Sequence, residues 1–166
     1  MPTWLPLAID SFWPMLSAGL KFTIPLTLIS FILGLSLGFA VALLRLYGPA
    51  FLKPVIRFYV WLIRGTPLLV QLFLIFYALP SAGLTIDAFP AAVIGFTVNI
   101  GAYTSEVIRA TLLAVPKGQW EAAHSISMTW AQSLRRIILP QAARIAVPPL
   151  SNTFISLVKD TSLASV

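Results

Sequence analysis

Two runs of polar residues set inside apolar stretches carry whatever chemistry this chain can do. Asn99, Tyr103 and Glu106 recur at i, i+4 and i+7, and Ala110 completes the stripe. That spacing is one face of a helix. Asn152, Ser156 and Asp160 recur at i, i+4 and i+8, with Lys159 beside Asp160. Glu106 falls about 14 Å and Lys159 about 17 Å inside their segments at 1.5 Å per residue. Ionisable groups at such depth in apolar surroundings point into a bundle or a wet cavity. Arg109, three residues on, can pair with Glu106, and Glu106 is also the obvious partner for Lys159. Two uses fit these residues: structural ion pairing, or polar partners along a solute pathway. Gln71 divides the same way, between an interhelical hydrogen bond and a pathway role.

Other chemistries find little support. There are no cysteines, and His124 is the one histidine, so thiolate sites and a histidine metal cage are excluded. No Gly-x4-Gly-Lys-Ser/Thr phosphate loop occurs. No nucleophile–base pair or metal cluster supports a membrane enzyme with Glu106 or Glu121 as acid or base.

The elements that position the polar faces are membrane helices. The chain of 166 residues is 58% hydrophobic and 10% charged, with a mean hydropathy of +0.92. A soluble domain carries about 25% charged residues. An all-α integral membrane protein follows, with four predicted spans over 22–46, 61–79, 90–115 and 147–166. A hydrocarbon core of about 30 Å needs about 20 apolar residues. Segment 1–20 holds Trp4, Phe12 and Trp13 but also Pro2, Pro6 and Pro14. It reads as an outer interfacial segment too broken to span. Gly34 and Gly38, with Ser30 one turn earlier, form a small-residue stripe for close helix packing. Gly65 and Pro67 predict a bend or a restart at the head of the second span. Pro148 and Pro149 suit the first turn of the fourth.

The net charge of +6 lies in loops flanking the spans, so it reads as orientation in a membrane and not as nucleic-acid binding. Nine of the 11 basic residues fall in 45–64 or 109–144. Those intervals are expected on the cytoplasmic side, which puts the N-terminus and the Asp87 loop outside. No internal repeat is visible.

The interval 116–140 is the longest water-compatible stretch. A first helix over 119–126 carries Ala122 and Ala123, small residues that let a partner's backbone come close. Ser127 breaks it. Thr129 and Gln132 form a capping box, and the second helix stops at Pro140. A two-helix loop of this kind suits docking to a soluble protein, or packing on its own bundle.

The same interval resembles the EAA motif of permease subunits of bacterial ATP-driven importers. Glu121, Ala122, Ala123, Ile137, Leu139 and Pro140 match that pattern, while Ser127 stands where the family has glycine. RGTPLLVQLF from Arg64, GAYTSEVIRATLLAVPKGQWEAA from Gly101 and FISLVKDTSLASV from Phe154 are similar to the polar amino-acid branch, so the resemblance covers nearly the whole chain. It implies a type I importer permease of the bacterial inner membrane with five spans, one to follow Val166, paired as homo- or heterodimers. It implies a cytoplasmic ATPase that binds ATP and magnesium, leaving no cofactor in this chain, and an extracytoplasmic binding protein that delivers an amino acid, cystine or a basic one. Gly118, Glu121, Ala122, Ala123 and Ser127 become the ATPase-coupling residues. Asn99, Tyr103, Glu106, Asn152, Ser156, Lys159 and Asp160 become substrate-pathway candidates. The rival reading, an ion-coupled carrier or channel using Glu106, Lys159 and Asp160, leaves the loop unexplained.

Overall fold

The computed structural model describes residues 4–165, and every element in them is helical. Helix α1 (Trp4–Ala18) runs through a π turn, Gly19–Thr23, into α2 (Ile24–Tyr47). Helix α3 (Leu52–Gly65) is followed by α4 (Leu68–Phe73), a π turn at Leu74–Ala78 and the short α5 (Leu79–Ser81). Helix α6 (Ala88–Ala114) is the longest single α-helix. Helix α7 (Lys117–Ser125) and α8 (Trp130–Ser133) form the loop; α8 continues through a π turn, Leu134–Ile138, into α9 (Leu139–Asp160) and a 3₁₀ turn, Thr161–Ser165.

Proline places the π turns. Each ends two residues before one: Thr23 before Pro25, Ala78 before Pro80, Ile138 before Pro140. A helical proline lacks an N–H, and its ring collides with the carbonyl four residues back. That carbonyl belongs to Lys21, Phe76 or Arg136, the centre of each turn. Widening the ladder there relieves the clash. The amide just before each proline reaches five residues back, from Ile24 to Gly19, Leu79 to Leu74 and Leu139 to Leu134.

Several expected boundaries change as a result. The prolines do not break the segment before residue 21 as expected: Asp10–Tyr47 is one apolar helix of 38 residues. Pro6 falls in the first turn, where N–H groups have no helical partner anyway, and Pro14 removes only one bond. Phe12 and Trp13 are exposed, whereas the side chain of Trp4 and the structure of Pro2 lie outside the described residues. The second helix of the loop does not stop at Pro140, because the π turn absorbs that proline. The helix that holds the fourth expected span therefore begins at Leu139, ahead of 147, and Pro148 and Pro149 sit inside it and not in its first turn.

The expected stretch 61–79 is not one straight rod. Leu52–Gly65 and Leu68–Ser81 meet at 106°, at the predicted Gly65–Pro67 break. Among the described residues, Asp10–Tyr47 and Ala88–Ala114 are long and apolar enough to cross a membrane, and the bent pair makes a third if counted as one. The expected 90–115 span is the second of these. Helix α9 has 22 residues, about 33 Å at 1.5 Å each, but carries Arg144, Lys159 and Asp160.

Helices α2 and α6 make the most extensive helix–helix contact, and the small-residue stripe explains it. A Cβ at Gly38 would sit 2.9 Å from the Ser105 nitrogen and 3.0 Å from the Gly101 carbonyl oxygen. One at Gly34 would meet Ile100, and one at Gly101 would meet Leu37. Ser30 is fully buried on the same stripe. Two apolar clusters flank this seam. One joins Ala42, Ile108, Leu112 and Ile138; the other joins Leu26, Leu72, Phe96 and Leu157. Gly38→Leu forces backbones apart and is expected to destabilise by about 1–3 kcal/mol. Thermal unfolding in detergent should show a lowered midpoint, with a much smaller loss for the open position Gly19→Ala.

Candidate functional site

Five of the seven sequence-predicted pathway residues converge. Asn99 and Tyr103 from α6, with Asn152, Ser156 and Asp160 from α9, line one cavity of about 410 Å³. Thr66 and Pro67, at the break between α3 and α4, close its third side. The helical spacing of both runs turns their polar edges toward each other. The cavity is therefore lined by two amides, four hydroxyls and a carboxylate, groups suited to a polar solute.

Glu106 and Lys159 do not join them. Glu106 lies one turn beyond Tyr103 and pairs with two arginines. Its Oε1 accepts from Arg45 Nη1. Its Oε2 accepts from Arg109 Nη2 at 2.8 Å and Nε at 3.1 Å. The Arg109 pairing was legible from i, i+3 spacing. Arg45 is 61 residues away and carried no local signal. The expected Lys159–Glu106 pairing does not form: Lys159 is exposed on α9, and the ion pairs of Glu106 among the described residues are with Arg45 and Arg109. Between them, the arginines occupy the carboxylate's acceptor positions and tie the end of α2 to the middle of α6.

Gln71 is a staple. Its Nε2 donates to the Ile63 carbonyl at 2.7 Å and lies 3.1 Å from the Thr66 carbonyl, both at the frayed end of α3. Its Oε1 accepts from Asn99 Nδ2 at 3.0 Å. The interhelical hydrogen bond is thus the observed role. It also engages Asn99 and holds the bend beside the cavity.

In the loop, the Thr129–Gln132 capping box forms as predicted. Ser127, where the motif has glycine, is the one described non-glycine residue with positive φ, at 58°. Its N–H bonds the His124 carbonyl at 2.9 Å, and the Met128 N–H bonds the Ala123 carbonyl at 3.1 Å. This pair closes the end of α7 around a left-handed residue. Serine here keeps the turn that glycine would make. Gly118, Glu121 and Ala122 are exposed, whereas Ala123 is 0% exposed. Of the two alanines only Ala122 is exposed, while Ala123 packs against the chain's own bundle. Tyr47, Trp120 and Trp130 root the loop: Tyr47 meets Trp130 edge-on at 4.8 Å, and Trp120 stacks on Trp130 at 6.3 Å. The three rings join α2, α7 and α8, a contact that no spacing within the loop foretold.

The structure is a bent bundle of apolar helices with a polar seam and a two-helix projection, and the chain belongs to the family described as binding-protein-dependent transport system inner membrane component, over residues 30–166. It is 60% identical over 156 residues to the L-cystine transport system permease protein TcyB of Bacillus subtilis, covering 94% of this chain and 67% of that protein. It is 40% identical to the probable amino-acid ABC transporter permease protein YckA of the same organism, covering 96% of this chain and 70% of that protein. Among solved structures, an amino acid ABC transporter crystallised with histidines superposes with a TM-score of 0.86 at 40% identity, over 96% of this chain and 74% of that one. The inward-facing MetNI methionine ABC transporter shares the fold, at a TM-score of 0.75 and 24% identity, over 91% of this chain and 73% of that one. Membership supports the permease reading over the ion-coupled carrier.

Two outcomes test the local geometry. Ser127→Gly should be neutral or stabilising and Ser127→Val destabilising by about 1–2 kcal/mol, the strain of a left-handed L residue, read from thermal midpoints. Gln71→Leu orphans Asn99 and the end of α3, so a loss of about 1–3 kcal/mol is expected; hydrogen exchange should rise first in 62–71.

Proposed function

We propose that the chain is the membrane subunit of an ATP-driven amino-acid importer, and that cystine is its first candidate substrate. Residues 45–64 and 109–144 face the cytoplasm, the N-terminus lies outside, and the chain works in a pair with a second copy or a paralogue. An extracytoplasmic binding protein delivers the amino acid. The carrying observation is the polar cavity that α6 and α9 line together in a chain of this family. The name of the 60%-identical relative supports the substrate.

In this reading Asp160 receives the ammonium group of the amino acid, and the amides of Asn99 and Asn152 and the hydroxyls of Tyr103 and Ser156 take its remaining polar edges. A preformed polar lining replaces part of the solute's hydration inside lipid. A separate ATPase docks on the exposed face of α7 through Gly118, Glu121 and Ala122. Ser127 ends that helix, and the Tyr47–Trp120–Trp130 contact passes its displacement to α2. Glu106 and Lys159 have no direct contact with the solute: Glu106 fixes α2 against α6, and Lys159 faces outward.

Radiolabelled cystine uptake by the reconstituted transporter tests the cavity. Asp160→Asn should raise KM by about ten-fold, equivalent to about 1.4 kcal/mol, at unchanged membrane abundance. Unaltered uptake across alanine variants of all five lining residues would sink the assignment. The loop has its own test. Ala122→Trp should abolish ATPase co-purification and ATP-dependent uptake, and uptake that survives ATP depletion would return the carrier reading.

A further inference from the structure

A second cavity, of about 620 Å³, opens beside the end of α3 and is lined by arginine. Arg45, Arg57 and Arg64 face it with one carboxylate, Glu106. That carboxylate already accepts from Arg45 and Arg109. The balance is three guanidinium groups to one acid, and the acid is engaged.

Arg57, Trp61 and Arg64 stand at i, i+4 and i+7, one face of α3. Arg64 lies over the Tyr103 ring at 5.4 Å, and neither it nor Arg57 forms an ion pair among the described residues. Their exposed neighbours are apolar: Val55, Phe58 and Trp61 are 63%, 59% and 69% exposed, and the Phe58 and Trp61 rings meet at 5.9 Å. Uncompensated arginines beside an outward-facing aromatic ridge match an amphiphile with an anionic head and an apolar tail. Arginine forks onto phosphate oxygens, tryptophan sits at headgroup level, and basic pockets between membrane helices hold anionic headgroups. A soluble acidic partner would leave the aromatic ridge without a role.

We infer that this arginine-lined crevice holds the phosphate of an anionic phospholipid, whose acyl chains lie along Val55, Phe58 and Trp61. The site is separate from the solute cavity, and Tyr103 forms part of the wall of both. Its occupant neutralises Arg57 and Arg64 and braces α3 on one side of the bend.

The test is native mass spectrometry of the full chain from micelles holding equal phosphatidylglycerol and phosphatidylcholine. The wild type should retain phosphatidylglycerol preferentially. Each arginine removed should lower that preference roughly five-fold, so Arg57→Gln/Arg64→Gln should approach parity. The charge-retaining pair Arg57→Lys/Arg64→Lys should keep most of it, and the distant control Arg135→Gln/Arg136→Gln all of it. Should the double glutamine variant not fold, by circular dichroism, the exposed single change Arg57→Gln is compared instead. Equal retention of both lipids by the wild type, or an unchanged preference in the glutamine variants, overturns the inference. So does displacement of the lipid by millimolar inorganic phosphate, which makes this a free-anion site, or by cystine, which makes it part of the solute path.

Discussion

Lipid offers a backbone amide or carbonyl no partner, and that constraint explains most of the architecture. A helix answers it automatically until its ladder is interrupted. This chain interrupts its ladders often, with 13 prolines, and several of the interruptions have a specific repair. Before Pro25, Pro80 and Pro140 the helix widens by one bond. At the Gly65–Pro67 break the Gln71 amide takes over the loose carbonyls. At the end of α7 the left-handed Ser127 lets two amides turn back. Two of these repairs lie at the wall of the polar cavity and at the end of α7, the two regions proposed to act in transport. Irregular backbone is tolerated in membranes where it is buried in protein or lines a cavity, so such sites and such repairs coincide.

The polar residues divide into two groups with different tasks. Glu106, Arg45 and Arg109 satisfy one another and hold α2 to α6. Asn99, Tyr103, Asn152, Ser156 and Asp160 open onto shared space. Sequence spacing placed Glu106 with the second group because it shares a helical face with Asn99 and Tyr103. Depth and face alone cannot separate them; a partner on another helix does. Asn99 belongs to both groups, since its amide nitrogen is committed to Gln71 while the residue still borders the cavity. A bound solute would therefore feel the position of the α3–α4 bend.

What periodicity could report, it reported well: the α6 span, the glycine stripe, the break at Gly65–Pro67, the capping box at Thr129 and the common face of Asn152, Ser156 and Asp160. These depend on neighbours within a few turns. Three features escaped because they depend on distant contacts or on ladder geometry. The Arg45–Glu106 pair and the Tyr47–Trp120–Trp130 cluster each join segments far apart in the chain. The continuity of α1 with α2 and of α8 with α9 was hidden by the ordinary rule that proline ends a helix. The burial of Ala123 beside the exposed Ala122 has the same origin: composition showed two small residues, and only docking of α7 on the bundle decided which faced out.

The π turn before Pro140 also sets an angle. A π turn adds one residue to the helix without adding a full step of its own, so everything after it is rotated by roughly 100°, the twist of one residue at 3.6 per turn. Helix α9 lies wholly downstream. The direction in which Asn152, Ser156 and Asp160 point is thus measured from a proline 12 residues before the first of them. Pro140 is a phase marker as well as an interruption: it ties the rotational setting of the cavity wall to the base of the two-helix loop, so winding or unwinding that one turn would swing a carboxylate, a hydroxyl and an amide together.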